Sequence, residues 1–133
     1  MLIPPFNLKT WIEEHRHLLK PPVNNKVIYK DADFIVMVVG GPNSRKDFHY
    51  NEGEEFFYQL KGSIEVVVQQ NGKAETLTIN EGDIFLLPAK VPHNPKRGPH
   101  TIGLVVEHRK KNNEQDGLMW FCENCNTKLH EVY

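Results

Sequence analysis

The chain has 133 residues, 25% of them charged and 39% hydrophobic, with a formal net charge of −1. That length fits one domain able to bury its own core, and the near-neutral balance excludes the broad basic field of a nucleic-acid or membrane-surface binder. No apolar run is long enough for a membrane span. The opening MLIPPFNLKTWIEE has no basic region followed by an apolar stretch, so it does not read as a secretory signal. Two cysteines in CxxC spacing fit a reducing compartment. The expectation is a cytoplasmic protein with neither nucleic acid nor membrane as partner.

The first predicted element is a helix. Leu8, Trp11, Ile12, His15, Leu18 and Leu19 recur at three- and four-residue steps. Asn7 is positioned as its N-cap, and Pro21 and Pro22 stop it. Strands follow: KVIYK, DFIVMVV, FFYQL, SIEVVVQ, ETLTI, DIFLL and TIGLVVE. GGPN, KG, QNGK, NEGD and PAKVP between them carry turn chemistry, and Asn71-Gly72 is a strong hairpin signal. Seven or more short strands at this spacing predict an all-β sandwich or barrel. Residues 1–110 are expected to form the barrel with its helix. Residues 111–133, from a polar loop into LMWFCENCNTKLHEVY, are expected to pack on it as a loop and CxxC tail.

Polar residues interrupt the apolar pattern in two places. His49 and Glu55 flank the approach to FFYQL, and His93 follows DIFLL after one turn. A single histidine near a strand end is usually hydrogen-bonded, and a single glutamate is usually solvated. The combination is what suggests a site.

That combination resembles the two motifs of the cupin family, whose fold is a double-stranded β-helix or jelly-roll barrel. Gly41, then PNSRK, Asp47-Phe48-His49, five residues, Glu55, six residues and Gly62 follow the first motif. Gly82, five residues, Pro88-Ala89-Lys90, two residues, His93, three residues and Arg97 follow the second. The departures are Asp47 in place of a first histidine, one extra residue between His49 and Glu55, Lys90 in place of a glycine and Arg97 in place of an asparagine. What remains is two imidazoles and one carboxylate, a facial set with open positions of the kind non-haem Fe(II) oxygenases use. Zinc has no redox chemistry to offer O₂. Arg45 and Arg97 each lie four residues from a histidine of the set. Paired guanidinium forks suit a carboxylate-bearing substrate. Glu107, at the end of a strand, suits a proton or hydrogen-bond acceptor. Read singly, each of these three is better explained by a surface role.

The strings LKPPVNN, FIVMVVGGPNSRKDFHYNEGEEFFYQLKGS, INEGDIFLLPAKVPHNPKR and GLVVEH resemble the 3-hydroxyanthranilate 3,4-dioxygenase family over nearly the whole chain. The resemblance implies Fe(II) at His49, Glu55 and His93. It implies substrate contacts from Arg45, Arg97, Glu107 and Glu55, and lesser pocket roles for Val23, Asn25, Asp47, Phe57 and Pro95. The implied reaction uses O₂ to open the ring of 3-hydroxyanthranilate, a small aromatic amino acid-phenol. The product, 2-amino-3-carboxymuconate semialdehyde, closes to quinolinate, in the kynurenine route to NAD. Two other classes stay open: another mononuclear-metal cupin enzyme acting on a small carboxylate, and a non-catalytic cupin that binds a small acid. Many cupins dimerise by strand exchange, so a homodimer is expected. Cys122 and Cys125 make half of a tetrahedral site. In the resembled family a second CxxC completes an iron site, and that pair is absent from this sequence, so a second structural iron or zinc here would draw on His130 or a partner subunit; two unliganded thiols are the alternative.

Overall fold

The computed structural model describes residues 2–133. Helix α1 (Leu8–His15) begins at Asn7, whose side-chain oxygen accepts from the Thr10 amide at 2.9 Å, satisfying a donor that the first turn leaves free. The helix is shorter than its apolar spacing predicts. After His15 the chain tightens into a 3₁₀ turn, Arg16–Leu18, before the two prolines.

Eleven strands follow: β1 (Asn25–Tyr29), β2 (Phe34–Gly40), β3 (Phe48–Tyr50), β4 (Glu55–Lys61), β5 (Ile64–Gln70), β6 (Lys73–Ile79), β7 (Ile84–Leu87), β8 (His93–Lys96), β9 (Ile102–His108), β10 (Gly117–Phe121) and β11 (Lys128–Val132). They form two antiparallel sheets, ordered β1-β2-β9-β4-β7 and β11-β10-β3-β8-β5-β6. This is the expected all-β jelly-roll. Four strands lie outside the runs anticipated from sequence: β3, β8, β10 and β11. Strands β3 and β8 are only three and four residues long, too short to show an apolar alternation. Strands β10 and β11 form a hairpin joined edge-on to β3. Residues 117–132 therefore extend the second sheet, where the sequence suggested a tail laid against the barrel.

Between the sheets lies a core of Phe57, Ile64, Val66, Val68, Ile79, Leu87 and Val105. Each strand contributes alternate residues, since successive side chains point to opposite faces. A second cluster, Ile12, Leu19, Val38 and Ile102, seals α1 against the outer face of the first sheet. Each such fully buried side chain contributes roughly 1.5–3 kcal/mol. The chain leaving the helix crosses very close to β2: a Cβ on Gly40 would sit 1.8 Å from the Leu19 carbonyl oxygen. Only glycine permits that approach. Among the described residues no helix is long and apolar enough to cross a membrane.

Candidate active site

The pleat and the register bring the polar residues together. In β4 the inward positions are Glu55, Phe57 and Gln59, all buried, while Tyr58 between them is exposed. Glu55 thus faces inward because it shares parity with core Phe57. It pairs directly with Glu107 of β9, which shares parity with core Val105. In the opposite sheet, His49 of β3 pairs directly with His93 of β8, and His93 pairs with Val68 of β5. Directly opposed residues on antiparallel strands share a face. A pair of carboxyls on one sheet therefore looks across the barrel at a pair of imidazoles on the other.

The pairs touch: His93 Nε2 lies 3.0 Å from Glu55 Oε2. His93 Nδ1 lies 3.0 Å from the Val91 carbonyl oxygen. A carbonyl can only accept, so Nδ1 carries a proton. On a neutral ring, Nε2 then presents a lone pair to a carboxylate oxygen, an arrangement that needs a proton or a cation between them. Two ligands at about 2.1 Å from one ion, and at right angles, stand about 3.0 Å apart, which matches the observed separation. The outer hydrogen bond to a carbonyl is also the usual second partner of a metal-bound imidazole. Asn51 Nδ2 donates to the same Glu55 oxygen at 3.3 Å, and the His49 ring centroid is 5.8 Å from that of His93. As they stand, no three His, Cys, Asp or Glu side chains among the described residues are already drawn into a closed ligating cluster. The donor chemistry and the His93–Glu55 contact nevertheless fit a divalent cation with two imidazole ligands and one carboxylate.

The cavity around them measures about 440 Å³, within the usual range for a small-molecule site. Its lining includes Asn25, Arg45, Asp47, His49, Glu55, His93, Pro95, Arg97 and Glu107. Two expected pocket residues are elsewhere. Val23 is exposed and outside this lining, because the segment after the two prolines runs over the surface. Phe57 is 2% exposed and belongs to the core between the sheets, one inward position deeper than Glu55. The lining also holds residues that sequence reasoning passed over: Asn43, Asn51, Asn94, Asp116 and Tyr133. Asn43, Asn51 and Asn94 lie inside the motif strings, but asparagine in turn-rich segments ordinarily signals only a turn.

Arg45 donates twice to Asp47, from Nε to Oδ1 at 3.0 Å and from Nη2 to Oδ2. Asp47, standing where the cupin motif carries a histidine, thus orients an arginine. Burial raises the Asp47 carboxyl, but the Arg45 hydrogen bonds and charge outweigh it and hold the group below its ordinary value. Arg97 is 6% exposed, and its Nη1 has no hydrogen-bond partner. Burial lowers its pKa from the ordinary arginine value to about 10, against the opposing pull of Glu55. Burial, helped by Glu55 and Asp116, pushes Glu107 up to about 7, with His93 opposing. Burial likewise lowers His49, and Arg45 and His93 add to the effect.

The model of the 3-hydroxyanthranilic acid dioxygenase family matches residues 1–133. The chain belongs to this family. A 3-hydroxyanthranilate 3,4-dioxygenase of Xanthomonas euvesicatoria is 60% identical over 99% of the chain and 74% of that relative's length. One of Bacillus thuringiensis is 52% identical over 96% of the chain and 72% of the relative. Among solved structures, a cupin-2 domain protein from Shewanella frigidimarina superposes with a TM-score of 0.59 at 16% identity, covering 77% of the chain and all of that protein. At that identity the likeness establishes the cupin fold alone. Within this dioxygenase-family barrel the CxxC stands apart from the cavity. Cys122 is half-buried and Cys125 exposed, both as free thiols, in the turn joining β10 to β11. Hydrogen bonds from Thr127 and Cys122 lower the Cys125 thiol to about 7. His130 packs against Trp120 with ring centroids 5.5 Å apart.

Proposed function

We propose that the protein opens the aromatic ring of 3-hydroxyanthranilate with O₂, giving 2-amino-3-carboxymuconate semialdehyde, the precursor of quinolinate in the kynurenine route to NAD. The observation that carries this reading is Arg97, a buried guanidinium with an unpartnered Nη1, lining the same cavity as Arg45 and the His49–Glu55–His93 set. A buried guanidinium with an unmet N–H donor is costly, and a substrate carboxylate relieves it. The same-activity names of relatives at 52–60% identity support the substrate.

His49, Glu55 and His93 would hold Fe(II), which supplies the redox coupling between ring and O₂ that side chains lack. The chain's own residues do the rest. Arg97 and Arg45 bind the carboxylate and set the ring's position. Glu107, raised to about 7, is poised near neutrality to take the phenolic proton. In the metal-free protein the neighbouring Glu55 adds to that upward shift. Asp47 holds the Arg45 guanidinium through Nε and Nη2 at the cavity lining. The apolar wall of Met37, Val39 and Val105 accepts the ring face and excludes water. We further propose a cytoplasmic homodimer acting on this substrate.

O₂ uptake by the Fe(II)-loaded protein, measured with 3-hydroxyanthranilate, with thiol acids and with simple carboxylates, tests the reading. Uptake confined to the aminophenol acid, with appearance of the semialdehyde absorbance, is expected. Uptake with another acid instead would identify a different cupin enzyme, and tight binding without uptake a non-catalytic acid-binding one.

A further inference from the structure

The two arginines sit on segments with little structure of their own. Arg45 lies within residues 41–47, which make no strand or helix, and Arg97 immediately follows the short strand β8. Each segment is held by an asparagine from the other. The Asn43 side chain accepts from the Arg97 amide at 3.0 Å and donates to the Pro95 carbonyl at 2.9 Å, while its own amide donates to the Arg97 carbonyl at 3.0 Å. In return, Asn94 Nδ2 donates to the Arg45 carbonyl at 3.1 Å. Asn94 is buried, so this bond has no water to replace it.

We infer that Asn43 and Asn94 are positioning residues whose reciprocal side-chain-to-backbone ties set the spacing of Arg45 and Arg97, and with it the affinity for a carboxylate. The inference rests on the reading of the two arginines as a carboxylate clamp. Arg45 is further tethered through Asp47, but that contact lies within the same loop and cannot fix the loop relative to β8. Arg97 leaves Nη1 unpartnered, so nothing at the side chain's tip replaces what its backbone is given by Asn43. The two side-chain ties link one sheet strand to one loop at both arginines, beside the single backbone bond from the Asn43 amide to the Arg97 carbonyl.

The test compares two probes on the full chain at matched metal content: 2-aminobenzoate, which carries a carboxylate, and 2-aminophenol, which does not. Asn43→Ala and Asn94→Ala are expected to weaken 2-aminobenzoate about tenfold or more and to leave 2-aminophenol unchanged. They should also raise KM for 3-hydroxyanthranilate more than they lower kcat. In double variants, Asn94→Ala should add nothing once Arg45 is Ala, and Asn43→Ala nothing once Arg97 is Ala. Should either alanine variant lose a cooperative melt, Asn43→Ser or Asn94→Ser carries the same comparison. Equal weakening of both probes, unchanged affinity for both, or additive double variants would overturn the inference. If Arg45→Ala and Arg97→Ala themselves fail to separate the two probes, the clamp is wrong and the inference falls with it. If they separate the probes and the asparagine variants do not, only the inference falls.

Discussion

Replacing Arg97 with Met separates binding from folding, because the two should move in opposite directions. Arg97 is buried, and burial takes its pKa from the ordinary arginine value down to about 10. At 1.36 kcal/mol per pH unit, that difference is roughly 3 kcal/mol of charge desolvation that the folded protein does not recover. Methionine fills a comparable length without a charge, so Arg97→Met should stabilise the metal-free protein by about 1–3 kcal/mol. The loss of the backbone-anchored guanidinium should at the same time cost about 2–4 kcal/mol of carboxylate binding, or some 30- to 1,000-fold. Urea unfolding of the metal-free protein gives the first quantity, and calorimetric titration with 2-aminobenzoate gives the second. Metal content on the same samples should be unchanged, since a guanidinium is not a ligand. A variant that is less stable and binds the carboxylate as tightly as the parent would mean that Arg97 holds the fold together, and the clamp argument would be wrong.

His49→Ala and Glu55→Ala should each lose iron and ring cleavage while keeping a cooperative melt, and full iron occupancy in either would refute the ligand assignment. Glu107 ties stability to pH. Its folded pKa, about 7, lies above its ordinary 4.5, so the stability it contributes is complete below pH 4.5 and is lost as pH rises through 7. With partial exposure discounted, the metal-free protein should lose about 1–2 kcal/mol across that window, and Glu107→Gln should flatten this part of the stability profile; an unchanged slope would refute it. Replacing Cys122 and Cys125 together with Ser should leave iron at the barrel site and ring cleavage largely intact, since neither cysteine lines the cavity. A double variant with full iron and no ring cleavage would show that the β10–β11 hairpin, paired to the His49 strand, governs the chemistry.

The local sequence determined a great deal. Turn residues between short β-branched and aromatic runs specify an all-β sandwich or barrel, and the motif resemblance narrows it to a jelly-roll. The spacing of Gly41, His49, Glu55, Gly62, Gly82 and His93 marks the polar set, because loop lengths and strand lengths of a barrel are themselves sequence quantities. Even the placement of Phe57 in the core follows from the two-residue period: if Glu55 points inward, so does Phe57, one step deeper among apolar neighbours. What the tertiary structure alone decided is how segments far apart in the chain meet. The three- and four-residue strands β3 and β8 have no alternation to announce them, and exist because neighbours on both sides supply their hydrogen bonds. Strands β10 and β11 acquire their state from the open edge of β3. The partnerless Nη1 of Arg97, the raised Glu107 and the crossed ties of Asn43 and Asn94 depend on burial and on contacts up to 54 residues apart. Burial and long-range hydrogen bonding are properties of the packed sheets, not of any window of the chain.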